Sequence, residues 1–150
     1  MDFKSSLILA LEEILDKMAF MVFEEAGKGT PAQGQFEYTS QIRFKGKLVG
    51  TLQLYFTKDT AQALARNLLG LRDDAPLYDG TIEDALGEFA NILMGRTLSI
   101  FQPEVGFDLQ LPQTQLGDQP IAPNGDHEVL QIEGLLDELE PCRMVVHYSK

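Results

Sequence analysis

The stretch Thr81–Ser99, TIEDALGEFANILMGRTLS, carries the clearest helical pattern in this 150-residue sequence. At 3.6 residues per turn, the apolar residues of one side are Ile82, Leu86, Phe89, Ala90, Leu93 and, just beyond the stretch, Ile100. The stripe almost opposite is formed by Asp84, Glu88, Asn91 and Gly95. Asp79-Gly80 is a turn signal, and Thr81 is the predicted helix cap. The pattern predicts an amphipathic helix whose Glu88 and Asn91, three residues apart, face solvent and can contact the same object.

Two glycines, Gly87 and Gly95, lie inside this predicted helix. A glycine in a helix interior lowers stability by about 1 kcal/mol relative to alanine, so a packing or contact reason is expected for each. Gly95 extends the solvent-facing stripe without a side chain, which leaves room for a close-approaching partner. Asp84, Glu88 and Gly95 are therefore the predicted partner-contact residues.

Length, composition and charge limit the class of protein. A chain of 150 residues with 44% hydrophobic content fits one domain, residues 1–150, that buries roughly 68–70% of its unfolded surface. A net charge of −11 argues against nucleic acid and against an anionic membrane surface as partners. The single cysteine, Cys142, excludes an internal disulfide and fits a reducing cytoplasm. The charged N-terminal pattern predicts neither a signal peptide nor a membrane-spanning helix.

Periodicity along the rest of the chain predicts an α+β fold. Residues 3–25 are predicted to form one long helix, and a loop follows at Gly27–Pro31. A period of two then predicts an antiparallel hairpin that turns at Lys45-Gly46. The remaining predicted elements are a helix at Lys58–Leu69 ended by Gly70, a strand at 107–111, a loop at 112–127, and strands at 128–133 and 143–148 separated by a turn-prone stretch, Gly134–Pro141. The order α-β-β-α-α-β-β-β predicts an antiparallel sheet covered by long helices.

A weak internal repeat relates two of the predicted long helices. LEEILDKMAF (Leu11–Phe20) can be aligned with LGEFANILMG (Leu86–Gly95). The alignment places Glu13 over Glu88 and Asp16 over Asn91, so only one of the two helices carries the amide.

His127, Cys142 and His147 are the usual candidates for metal binding or nucleophilic catalysis. Strand parity places Cys142 and His147 on opposite faces of one strand, which disfavours a shared site. The sequence contains no Cys/His metal spacing and no phosphate-binding glycine motif, so we predict no metal site and no cofactor site. A buried thiol and surface imidazoles are the expectation. Glu88 and Asn91 remain as candidate functional residues. Their spacing alone is also explained by an ordinary solvent-exposed helix face.

Several stretches resemble the CheX-like chemotaxis phosphatase domain of the CheC/CheX/FliY family. They are FKGKLVGTLQLYF, DTAQALARNLLG, DALGEFANILMGRTLS and the LPQT at Leu111–Thr114. The N-terminal LEEILDKMAFM also resembles the first helix of the family, so the resemblance covers most of the chain. Its most specific element is GEFANILMG. Proteins of this family dephosphorylate the response regulator CheY through residues of a Glu-x-x-Asn helix, which implies Glu88 and Asn91 as the catalytic residues here.

The resemblance also implies how the chemistry would proceed. Asn91 would orient the water that attacks an aspartyl phosphate on a CheY-type receiver, and Glu88 would pair with a receiver lysine. Mg²⁺ would come only with the receiver. Asp16 stands where some relatives have a second amide, so one active site is implied, in a homodimer. The alternative is a non-catalytic receiver-binding or scaffold module with the same fold.

Overall fold

The computed structural model describes residues 2–26, 36–120 and 128–149. The helices are α1 (Phe3–Ile14), which continues into a π-helical turn (Leu15–Ala19), α2 (Lys58–Leu69) and α3 (Asp79–Phe101). The strands are β1 (Phe23–Glu25), β2 (Tyr38–Lys45), β3 (Val49–Phe56), β4 (Asp108–Leu109), β5 (Gln113–Leu116), β6 (Glu128–Leu136) and β7 (Glu140–Ser149). Among these residues, no helix is both long and apolar enough to cross a bilayer.

The strands form one antiparallel sheet in the order β1-β6-β7-β3-β2, and β4 and β5 both pair with the outer edge of β2. All three helices contribute side chains to one hydrophobic core against the inner face of this sheet. The predicted α+β architecture is therefore confirmed. A smaller cluster of Phe36, Tyr55 and Val145 lies apart from that core.

The hairpin and α2 form where local sequence signals place them. Each residue of β2 has its partner on β3, with Lys45 opposite Val49 across the turn. α2 begins after Thr57, whose hydroxyl accepts a hydrogen bond from the Thr60 amide at 3.2 Å. It ends at Gly70, which adopts the left-handed conformation (φ 66°) that favours glycine.

The predicted helix over residues 3–25 is wrong beyond Ala19. Phe20 adopts a left-handed conformation (φ 56°), and β1 follows, with Phe23 opposite Leu136 of β6. The backbone amide of Val22 donates to the Asp137 carboxylate at 2.8 Å. The sequence of this segment has a helical period, but the segment pairs instead with β6, more than a hundred residues away in the chain. A local sequence pattern does not reveal such a pairing. Val22, within the predicted helix, lies outside the observed one and is 64% exposed.

The predicted loop at 112–127 is also wrong in part, because Gln113–Leu116 form β5 beside β2. The strand expected at 107–111 is reduced to β4. Pro112 lies between the two, and its missing N–H cannot join the ladder. Residues 121–127 of that predicted loop, and the whole Gly27–Pro31 loop, lie outside the described residues. The strands β6 and β7 are longer than predicted and meet in a short turn at 137–139.

Candidate functional site

The helix α3 is fixed against the core along its apolar side. Phe89 is 1% exposed and packs edge-on against Phe56, with ring centroids 6.1 Å apart. The buried residues of the helix include five of the predicted apolar face: Ile82, Leu86, Phe89, Ala90 and Leu93. Ile100, the sixth residue of the predicted face, is half-buried against the core. Because this packing prevents rotation of the helix, the opposite stripe has a defined direction.

Two polar contacts join α3 to the sheet, one part-buried and one buried, and neither was predicted from the sequence. The Tyr38 hydroxyl donates to the Asp79 carboxylate at 2.7 Å, and burial together with this bond raises the pKa of the Tyr38 phenol. The Ser40 hydroxyl donates to the Leu86 carbonyl at 3.3 Å and lies 3.0 Å from the Thr114 hydroxyl. The available signal was a pair of polar groups at core-facing positions of β2, which need partners when buried.

The helix begins three residues earlier than a cap at Thr81 predicts. Tyr78 is the cap residue and gives no side-chain hydrogen bond, so Thr81 is not the cap. Asp79 stands in the first turn, where a carboxylate suits the positive end of the helix dipole. Its bond to Tyr38 ties this first turn to β2.

The predicted stripe faces outward. Asp84 and Glu88 are exposed, while Asn91 and Gly95 are half-buried. In the part of the chain that the structure describes, the side chains of Glu88 and Asn91 make no hydrogen bond or ion pair. A carboxylate and a carboxamide on neighbouring positions of a fixed helix are thus available to a bound partner.

The two helix glycines lie one turn before and one turn after Asn91, and they differ in their surroundings. A Cβ at Gly87 would lie 3.3 Å from Cγ of Pro112, so the close approach of the 110–112 segment accounts for this glycine. Among the described residues, a Cβ at Gly95 would meet only Leu109, at an ordinary 3.7 Å. Internal packing therefore does not explain Gly95, and the expected role in partner contact stays a prediction.

The helix that aligns with α3 in the internal repeat does not present a second site of the same kind. Glu13, aligned with Glu88, is occupied by Arg96, whose Nε donates to its carboxylate at 2.9 Å. This contact lowers the pKa of the Glu13 carboxyl. Asp16, aligned with Asn91, is exposed on the π-helical turn, where the α-helical spacing of side chains is lost.

The alternative catalytic candidates are not brought together. Cys142 lies in the core on the inner face of β7, and burial raises the pKa of its thiol to about 12, so no thiolate forms near neutral pH. His147 has the opposite parity on β7, as predicted, but it is 2% exposed, so the expected surface imidazole is wrong there. His127 lies outside the described residues. Within those residues, no group of three His, Cys, Asp or Glu side chains could hold a metal ion.

Comparison with known proteins gives a consistent family assignment. The family described as chemotaxis phosphatase CheX matches residues 38–133, more than half of the chain. Comparison with curated protein sequences finds no match. The match begins at β2 and runs through α3 into β6, so it contains the whole candidate site.

Solved structures share the fold over nearly the full length. A chemotaxis protein CheX from Desulfovibrio desulfuricans has a TM-score of 0.80 at 19% identity, covering 99% of this chain and 100% of that one. CheX from Vibrio vulnificus has a TM-score of 0.79 at 16% identity, covering 99% and 97%. CheX from Borrelia burgdorferi, solved in a complex with CheY, BeF₃ and Mg²⁺, has a TM-score of 0.76 at 17% identity, covering 99% of each chain.

The family match spans the hairpin, α2 and the Glu-x-x-Asn helix, and the structural likeness extends to the first helix and the last strand. This chain belongs to the CheX family of chemotaxis phosphatases.

Proposed function

We propose that this chain hydrolyses the aspartyl phosphate of a CheY-type receiver domain, with Asn91 and Glu88 as the catalytic residues. The observation that carries the proposal is the carboxamide of Asn91, which makes no hydrogen bond with any described residue and lies beside Glu88 on the outward side of a helix packed on the core. The complex of the Borrelia relative with CheY supports a receiver as the partner.

The reaction needs little covalent chemistry from this chain. An aspartyl phosphate is a mixed anhydride, so water attacks phosphorus, the bond to the aspartyl oxygen breaks, and inorganic phosphate and the aspartate carboxylate result. Phosphoryl transfer of this kind depends mainly on positioning and on stabilisation of charge. The Asn91 oxygen accepts a hydrogen bond from the attacking water and holds it in line. An amide is too weakly basic to remove a proton, so its contribution is orientation.

Glu88 and the receiver supply the remaining groups. Glu88 pairs with a receiver lysine, which places Asn91 next to the phosphoryl group. Mg²⁺ comes with the receiver and neutralises phosphoryl charge there. We further propose that the chain acts in the cytoplasm and as a homodimer, on the strength of the family resemblance; sedimentation equilibrium of the purified chain tests the dimer.

The direct test is to mix the purified chain with phosphorylated receivers from the same cell and to follow phosphate release. Faster loss of phosphate from one receiver supports the proposal. Binding of a phosphorylated receiver with an unchanged decay rate would instead identify a non-catalytic binding or scaffold module.

Glu88→Ala is expected to weaken the receiver complex roughly tenfold, because the variant removes one partner of an interfacial charge pair. The rate at saturating concentration should change less than the affinity. Titration against a receiver activated with beryllofluoride measures the dissociation constant without turnover. Glu24→Ala is the control, since Glu24 is exposed on β1, which forms the edge of the sheet opposite β4 and β5. Equal affinities of wild type and Glu88→Ala would remove Glu88 from the interface.

Gly95→Ala is expected to raise the free energy of unfolding by up to about 1 kcal/mol, because alanine favours helix and the new Cβ fits at 3.7 Å from Leu109. Receiver affinity should nevertheless fall, since the methyl group occupies the space proposed for the partner. Chemical denaturation and the same titration measure the two effects. Gly87→Ala is the matched comparison. Its new Cβ would lie close to Pro112, and this crowding should offset the stability gained from the higher helix propensity of alanine. Unchanged receiver affinity in Gly95→Ala would argue against partner contact there.

A further inference from the structure

The most exposed large apolar side chain of the described residues is Leu111, at 89%. The backbone on both sides of it is held in place. The Gln110 amide donates to the Arg43 carbonyl at 3.0 Å, and Pro112 lies against Gly87 of α3. Because the backbone around Leu111 is already fixed, insertion of its exposed side chain into a partner costs little conformational entropy.

Leu111 lies close enough to the proposed active site to share its interface. Its neighbour Pro112 touches the turn of α3 that immediately precedes Asn91. An interface of standard size covers about 800 Å² on each partner, a patch roughly 30 Å across. A receiver seated over Asn91 therefore also covers Leu111.

Charge favours a receiver over a second copy of this chain as the occupant. The stripe on α3 carries two exposed carboxylates, Asp84 and Glu88, while the exposed Arg43 borders the same surface cavity as Leu111. A second copy seated on the stripe would place these carboxylates opposite carboxylates of the same kind. The arrangement fits a partner surface with an apolar pocket and a basic rim, because like charges placed opposite each other disfavour association.

We propose that Leu111 is a specificity-determining residue that recognises the receiver by inserting into an apolar pocket beside the phosphorylated aspartate. This proposal rests on the proposed function, since the receiver is the occupant in both. Leu111 contacts the receiver's surface and not the reacting atoms, so it contributes to affinity and to the choice of receiver.

Leu111→Ala is the test, with Leu139→Ala as the matched control. Leu139 is 77% exposed in the turn between β6 and β7, three strand spacings from β5. It lies beyond the Phe56–Cys142 pair, whereas Leu111 lies at the level of Arg43 and Thr51, so the two leucines are separated along the strands as well as across the sheet. Leu111→Ala should raise the dissociation constant for the beryllofluoride-activated receiver at least tenfold, as expected for a leucine that becomes buried. The rate of phosphate release at saturating concentration should stay unchanged, and Leu139→Ala should match wild type in both measurements.

The outcomes separate the two proposals. Wild-type binding without hydrolysis contradicts the proposed phosphatase activity, yet the affinity of Leu111→Ala still decides the role of Leu111. Equal affinities of wild type and Leu111→Ala overturn the recognition proposal alone. A loss of self-association in Leu111→Ala, measured by sedimentation equilibrium, would identify a second copy as the occupant and overturn it as well. If wild type binds no receiver, both proposals fail.

Discussion

Asn91→Ala is expected to lower receiver dephosphorylation by at least about 100-fold while leaving receiver binding largely intact. The variant removes the oxygen that would orient the attacking water, and water in the remaining space has no fixed direction of attack. Folding should not suffer, because Asn91 is half-buried and its side chain makes no hydrogen bond with the described residues. Single-turnover release of phosphate from a purified phosphorylated receiver measures the rate, and titration with the beryllofluoride form measures binding.

Asp16→Ala is the matched control for this experiment. Asp16 aligns with Asn91 in the internal repeat, but it is exposed on the π-helical turn, next to a helix whose Glu13 is already paired with Arg96. Turnover in Asp16→Ala should equal that of wild type, and a large loss would make the first helix part of the active site. Unchanged turnover in Asn91→Ala would remove the proposed mechanism altogether.

Phe89→Ala is expected to cost about 3–5 kcal/mol of unfolding free energy, a large share of the roughly 5–15 kcal/mol typical of a domain. Phe89 follows Glu88 directly and faces the other way, into the core against Phe56. It also borders a small apolar cavity of about 20 Å³, so removal of the ring enlarges a void that polar groups do not line. Urea denaturation followed by circular dichroism measures the loss.

The control for Phe89→Ala is Phe20→Ala, since Phe20 is 75% exposed and its ring contributes little to the core. Its expected cost is within about 1 kcal/mol. A cost for Phe89→Ala no larger than that of Phe20→Ala would mean that α3 is not held by its apolar side. The fixed direction of Asn91 would then lose its physical basis.

The elements whose signals are local could be predicted from the sequence. The helix α2 has its cap at Thr57 and its stop at Gly70, and α3 carries an apolar face of helical period. The hairpin of β2 and β3 alternates with a period of two on both sides of its turn. The direction of Glu88 and Asn91 followed from the same periodicity, because a helix that buries one face must present the other.

Only the tertiary structure decided the features that depend on residues far apart in the chain. β1 exists because β6 offers it a partner, and β5 because β2 does. The close approach of Pro112 explains Gly87, whereas no tight contact within the described part of the chain explains Gly95. The pairing of Glu13 with Arg96, and the Tyr38–Asp79 bond that anchors α3, likewise join residues that no local pattern connects. Periodicity reports which side of an element is apolar, whereas pairing and close approach depend on which elements meet in the folded chain.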